Sequence, residues 1–260
     1  MLKPGFLYKL PHDIHRNIFA KLYRRKYKRR QQKRKRDTKD GFSYKPFDLS
    51  QSIFIHIPKT AGRSICTTLY GNLAGGHATV AEYQFIFSSQ DYNNYFKFTF
   101  VRNPWDRAFS AYNFLKRGGV DENDKLWAPN IACYKTFDAF IKEGFRTPIM
   151  QHKLHFISQH KFLSMPHQKI SLVDFVGYYE NLEEDFEVIK DRLQLDANVK
   201  LKHINKTSEE KKLDYKNFYT EETRKIVQNV YQKDIDLFGY NFDSSSILQK
   251  NKQLKANILI

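Results

Sequence analysis

Along the chain, short apolar and aromatic runs alternate with segments whose apolar positions recur every three or four residues. Ser52–Pro58 (SIFIHIP), Tyr95–Val101 (YFKFTFV) and Ile170–Val176 are of the first kind. Their length and their β-branched and aromatic content predict strands, the first of them buried. Gly62–Tyr70, Thr79–Phe87, Pro104–Leu115, Leu182–Leu193 and Glu221–Ile235 read as helices, and Thr136–Lys142 as a shorter one. Pro104 suits a first helical turn, where its missing N–H is no loss. Gly71–Gly76 is a break. Strands alternating with helices predict an α/β domain over residues 51–245, with a mostly parallel central sheet flanked by helices in three layers. A tail follows at 246–260, and no internal repeat is visible.

Charge changes one part of this picture. The 260 residues are 41% hydrophobic and 15% aromatic, which argues for a packed core and against a disordered chain. The formal net charge of +16 is uneven: residues 1–50 hold 16 Lys and Arg against 4 Asp and Glu, and the rest hold 28 against 24. Lys21–Arg36 alone has 11 basic residues in 16 positions. Such a run repels itself and builds no core. Residues 1–50 are therefore expected as a basic arm outside the domain. Ile14, Ile18, Phe19 and Leu22 predict an amphipathic helix leading into it. The composition fits a solvated arm, an arm resting on anionic lipid through residues 1–45, or an arm on nucleic acid.

Cys66 and Cys133 are the two cysteines. One disulfide is conceivable, a stapled scaffold is excluded, and the spacing matches no zinc pattern, so no metal is expected. No apolar run approaches the roughly 20 residues that span a bilayer, and Met1–Leu10 lacks the apolar stretch of a secretory signal. These features predict a cytoplasmic protein, with membrane contact limited to the periphery of the inner face.

Two segments carry chemistry. Ile55–Ser64, IHIPKTAGRS, runs from a strand through a turn into a helix, the geometry that aims backbone N–H groups at an anion. Gly62 permits close approach, Lys59 brings a point charge, and Thr60 and Ser64 bring hydroxyls. The order is not the GxxxxGK[ST] of a Walker loop, because the Lys precedes the Gly. In Phe98–Leu115, FTFVRNPWDRAFSAYNFL, Arg102 closes a strand and Ser110 follows along the next helix. The planar guanidinium and the hydroxyl can meet at one phosphate.

HIPKTAGRS resembles the 5′-phosphosulfate loop, and the second run the 3′-phosphate motif, of sulfotransferases that use 3′-phosphoadenosine 5′-phosphosulfate (PAPS). The likeness is closest to the type that includes carbohydrate sulfotransferases and many bacterial proteins. It continues through Asp174–Phe186, His203–Thr207, Asp214–Glu222 and Asp234–Phe242, and covers roughly residues 51–243. The resemblance implies a P-loop-like fold and PAPS as co-substrate without a metal. It implies cofactor contacts from Lys59, Thr60, Ala61, Gly62, Arg63, Ser64, Arg102 and Ser110, with Lys206 and Tyr215 over the nucleotide. Arg63 stands where the family often has Thr, and Tyr178 where many members carry a basic residue.

Transfer to a hydroxyl needs a proton acceptor, and His suits working pH. His77, in a GGHAT segment of a kind common in the family, is the expected base, with Glu82 as its rival. Lys59, beside the leaving phosphate, is the second catalytic residue. His152, His155, His160 and His167 read as surface or acceptor-contacting residues. The resemblance implies a carbohydrate or glycolipid acceptor. Two other readings stand beside it. A P-loop nucleotide phosphotransferase would need a Lys after a second Gly and a magnesium-binding carboxylate at a strand end. A nucleic-acid-binding protein acting through the arm would leave two phosphate motifs without a purpose, so nucleic acid is not the expected partner.

Overall fold

The computed structural model describes residues 8–37, 41–165, 173–202, 204 and 213–247. At its centre are three parallel strands in the order β1 (Ser52–Ile55), β2 (Phe96–Val101), β3 (Phe175–Tyr178). Ile55 lies opposite Thr99, and Val101 opposite Tyr178. β1 is buried throughout and β2 nearly so, as parallel strands covered on both faces should be. The polar residues in them are matched: Thr99 Oγ1 donates to the Ile55 carbonyl at 2.7 Å, and Lys97 Nζ donates to the Tyr95 carbonyl at 2.6 Å. This is the expected α/β, P-loop-like architecture.

Helices α1 (His12–Leu22), α2 (Arg24–Lys35) and α3 (Lys45–Ser50) precede the sheet. α4 (Gly62–Tyr70), α5 (Val80–Tyr83) and α6 (Ser89–Asn94) connect β1 to β2, and α7 (Pro104–Lys116) and α8 (Glu122–Trp127) follow β2. Helices Leu182–Arg192 and Glu221–Phe238 come after β3. One apolar cluster surrounds the sheet, and a second lies between α7 and the helix Glu221–Phe238. The expected helix over Thr79–Phe87 shortens to one turn, because Thr79 and Glu82 close a capping box there and turns follow. The third strand forms at Phe175–Tyr178, beyond the expected start at Ile170, and residues 166–172 lie outside the described residues.

The basic segment corrects the expectation of an arm standing off the domain. Phe19 stacks on Phe85 at 4.0 Å between centroids, and Asp13 accepts hydrogen bonds from Ser89. Arg34 grips Asp48 with two bonds of 2.7 Å and reaches Asp91 at 2.7 Å. Arg30 pairs with Glu82 at 2.8 Å, and Gln31 donates to the Ile86 carbonyl. One face of α2 thus settles on acids and carbonyls of the domain. Its charges repel one another less than they are drawn to those partners. Cys66 is buried, Cys133 is exposed, and both are free, so the conceivable disulfide is absent. Among the described residues no helix is long and apolar enough to cross a membrane.

Candidate active site

The two phosphate motifs meet at the carboxyl ends of β1 and β2, the edge where open α/β sheets bind ligands. Between β1 and α4, Lys59 and Ala61 hold left-handed backbone at φ values of 72° and 66°. Each such non-glycine residue costs on the order of 1–3 kcal/mol, which the surroundings must offset. Turns of this kind direct successive N–H groups toward an anion, and the first turn of α4 adds N–H groups that no helical carbonyl accepts. A Cβ on Gly62 would lie 1.9 Å from Cδ2 of His56, so only glycine fits there. Thr60 Oγ1 donates to the Ile57 carbonyl at 2.9 Å and holds the turn from within.

The second motif clamps the first. Arg107, 1% exposed, donates Nε to the Pro58 carbonyl at 3.0 Å and Nη2 to the Ile157 carbonyl at 2.9 Å. Arg102 donates Nη1 to the Lys59 carbonyl at 3.0 Å and forks onto Asp106 at 2.9 and 2.8 Å, with its Cζ 4.1 Å from the Tyr179 ring centroid. Among the described residues, those three bonds leave two of the five guanidinium N–H donors without a partner. The backbone at Arg102 is pinned by the Gln159 amide, which both accepts from its N–H and donates to its C=O at 2.9 Å. Ser110 is half-exposed, with no hydrogen-bond partner among the described residues.

Electrostatics separate the candidates for proton transfer. Burial, then the nearby Arg102 and Arg117, push the Lys59 ammonium down to about 7, and Asp124 opposes them. Burial also lowers His77. Its Nδ1 lies 2.9 Å from the His56 carbonyl. A carbonyl only accepts, so Nδ1 carries the proton and Nε2 keeps a lone pair. The His56 and His77 rings stand 4.2 Å apart, which sets His77 beside the loop that His56 packs under. Glu82 is differently placed: one oxygen accepts the Thr79 N–H at 3.1 Å and the other holds Arg30.

A family model described as "Sulfotransferase family" matches residues 17–241. The chain belongs to the sulfotransferase family. An uncharacterised protein of Archaeoglobus fulgidus is 30% identical over 105 residues, which are 40% of this chain and 72% of the relative. No solved structure matches. The family match begins inside α1, so it takes in the basic helix as well as both phosphate motifs.

Within this family member, Lys59, Thr60, Ala61, Gly62, Arg63 and Ser64 form one turn, tied to Arg102. Arg63 Nε is buried with no partner among the described residues. Thr60 differs from expectation, since its hydroxyl donates to the turn itself. Tyr215 differs too: it is buried in the second apolar cluster and donates to the Phe242 carbonyl, because aromatic neighbours Tyr219 and Phe242 enclose it. Lys206 and His167 lie outside the described residues. His155 is not a surface residue, because its Nε2 holds Asp124 at 2.8 Å with both side chains 12% exposed. His160 is engaged with buried Asp234 at 2.6 Å. Arg107 was not singled out from sequence, although it lies five positions past Arg102 in the same run. Gln159 and the Asp124–His155 pair carry no sequence signal, since their partners are remote in the chain.

Proposed function

We propose that this protein transfers the sulfuryl group of PAPS to a hydroxyl, with His77 as base, and that the acceptor is a carbohydrate or glycolipid. The observation that carries the reading is the convergence of both motifs on Pro58 and Lys59, in a loop that combines strained backbone, the Lys59 ammonium and an Arg63 Nε without a partner among the described residues. These groups suit a phosphosulfate, and the two Arg102 N–H donors without a partner among the described residues, together with Ser110, are the proposed contacts for a second phosphate. The donor supplies an electrophilic sulfur bearing a phosphate leaving group. The protein's own part is to hold both phosphates, to stabilise charge on the departing oxygen through Lys59 and the loop N–H groups, and to receive the hydroxyl proton at His77 Nε2 as one S–O bond forms and the other breaks. The P-loop kinase reading lacks a motif to carry it.

The outward face of α2 supports peripheral attachment to an anionic membrane. Arg24, Arg25, Lys28 and Arg29 are exposed there, the helix contains no acid, and Leu22 before it is 63% exposed. The reaction is tested by supplying PAPS with a panel of glycans and glycolipids and weighing the products. A gain of one sulfuryl group on a glycan is the expected result. Transfer to none of them, with 3′-phosphoadenosine 5′-phosphate (PAP) failing to bind, would overturn the reading.

A further inference from the structure

Asp124 and His155 are 31 positions apart and belong to neither phosphate motif, yet they form a nearly buried pair. Asp124 Oδ2 accepts the Val120 N–H at 3.1 Å, and its own N–H donates to Asp121 Oδ1 at 2.9 Å. Gly119 takes φ 66°, and a Cβ on it would lie 2.1 Å from Cβ of Asp124, so the loop before α8 is shaped to press this carboxylate inward. Nδ1 of His155 is buried without a partner among the described residues. The His155 ring packs against Phe114 at 5.1 Å, and the Lys59 ammonium lies 4.0 Å from the Phe114 ring centroid. A chain of contacts thus runs from Asp124 through His155 and Phe114 to Lys59.

Resting on the sulfotransfer reading, we infer that the Asp124–His155 pair is a positioning device for Lys59: it seats the ammonium on Phe114 and supplies a counter-charge that favours its charged form. The need is plain from the surroundings. Arg63 of α4, Arg102 before α7 and Arg117 at its end all oppose a charge on Lys59, His155 would oppose it if protonated, and Asp106 is bound up with Arg102. Burial opposes it further. Asp124 works the other way, raising Lys59, His77 and His155 alike. Burial lowers the His155 imidazole against the opposing pull of Asp124, and with the Nε2 proton held by Asp124 its Nδ1 is the nitrogen left unprotonated in the neutral ring.

The test reads Lys59 directly and needs no turnover. Acetic anhydride acylates only the neutral amine, so mass spectrometry of the Lys59 peptide against pH gives the midpoint of its titration. Asp124→Asn should lower that midpoint by about one pH unit, the size expected for loss of one nearby opposite charge. Asp124→Glu, which restores charge and guards against misfolding as the cause, should return it most of the way. The alkaline limb of the transfer rate should move with the midpoint, costing about tenfold at a pH above both, and should not move in a Lys59→Arg background. An unchanged labelling midpoint in folded Asp124→Asn protein overturns the inference. A lowered midpoint in a protein that transfers nothing supports the pair and counts against the assigned reaction instead.

Discussion

Lys21–Arg36 holds 11 basic residues, whereas Ile55–Ser64 holds only Lys59 and Arg63, yet the poorer segment is the one to which the proposed chemistry is assigned. In α2 no residue is buried, and its cations meet water or the acids Glu82, Asp48 and Asp91. In the loop the cations are half-buried, the backbone at Lys59 and Ala61 is strained, and Lys59 is pushed down to about 7. The number of charges shows where a chain is solvated. Their dehydration and convergence show where a ligand's charge would be welcome.

The comparison breaks most sharply at His77. His77→Ala should reduce transfer by about 10²–10⁴ while PAP binding stays near normal, because the base acts on the acceptor. Glu82→Gln should keep most activity, since Glu82 serves the start of α5 and Arg30. Rate measurements on the two variants decide it: an inactive Glu82→Gln beside an active His77→Ala would reverse the assignment.

Arg102→Lys should weaken PAP binding by about 1.5–3 kcal/mol, as expected for a charged hydrogen bond, and Ser110→Ala by about 0.5–1.5 kcal/mol. Lys keeps the charge but loses the fork that grips Asp106 and the Lys59 carbonyl. Calorimetry giving unchanged affinity for both would remove the second motif from the ligand.

How far the site was legible follows from the range of the interactions. The strand–loop–helix around Lys59 and the start of α7 at Pro104 are set by neighbours in the chain, and the helix Gly62–Tyr70 forms with the expected limits. What clamps the loop is remote: Arg107 to Ile157, Gln159 to Arg102, Asp124 to His155. These pairs exist because buried carbonyls and charges need partners, and no local spacing announces which distant residue will serve. The arm failed for a related reason. Its self-repulsion is visible locally, whereas the acids that offset it lie at positions 48, 82 and 91.

Lys59 also sharpens the comparison through pH. In the free protein its ammonium is half-neutral near 7, and a bound phosphate favours the charged form. Binding of PAP above that pH should therefore take up a proton, and affinity should fall as pH rises through about 7 and beyond. Calorimetry in buffers of different ionisation enthalpy measures the uptake. Lys59→Arg should abolish it, and uptake persisting in that variant would place the titration elsewhere.

The smallest effects on catalysis belong to α2, where the two faces should part company. Arg34 makes charged bonds to Asp48 and Asp91 with its side chain 20% exposed. Arg34→Ala should cost about 1–3 kcal/mol of stability, because two acids lose their partner. Thermal unfolding reads that loss. Replacing exposed Arg25 and Arg29 together by Glu should leave stability and transfer to a soluble acceptor nearly unchanged, since both side chains are exposed. It should instead abolish co-sedimentation with vesicles containing anionic lipid, and the wild-type binding should weaken steeply with salt, because charges beyond about 8 Å are screened at physiological ionic strength. Equal sedimentation of variant and wild type would leave the outward face a plain solvated surface. In that case the docked face alone would account for the helix.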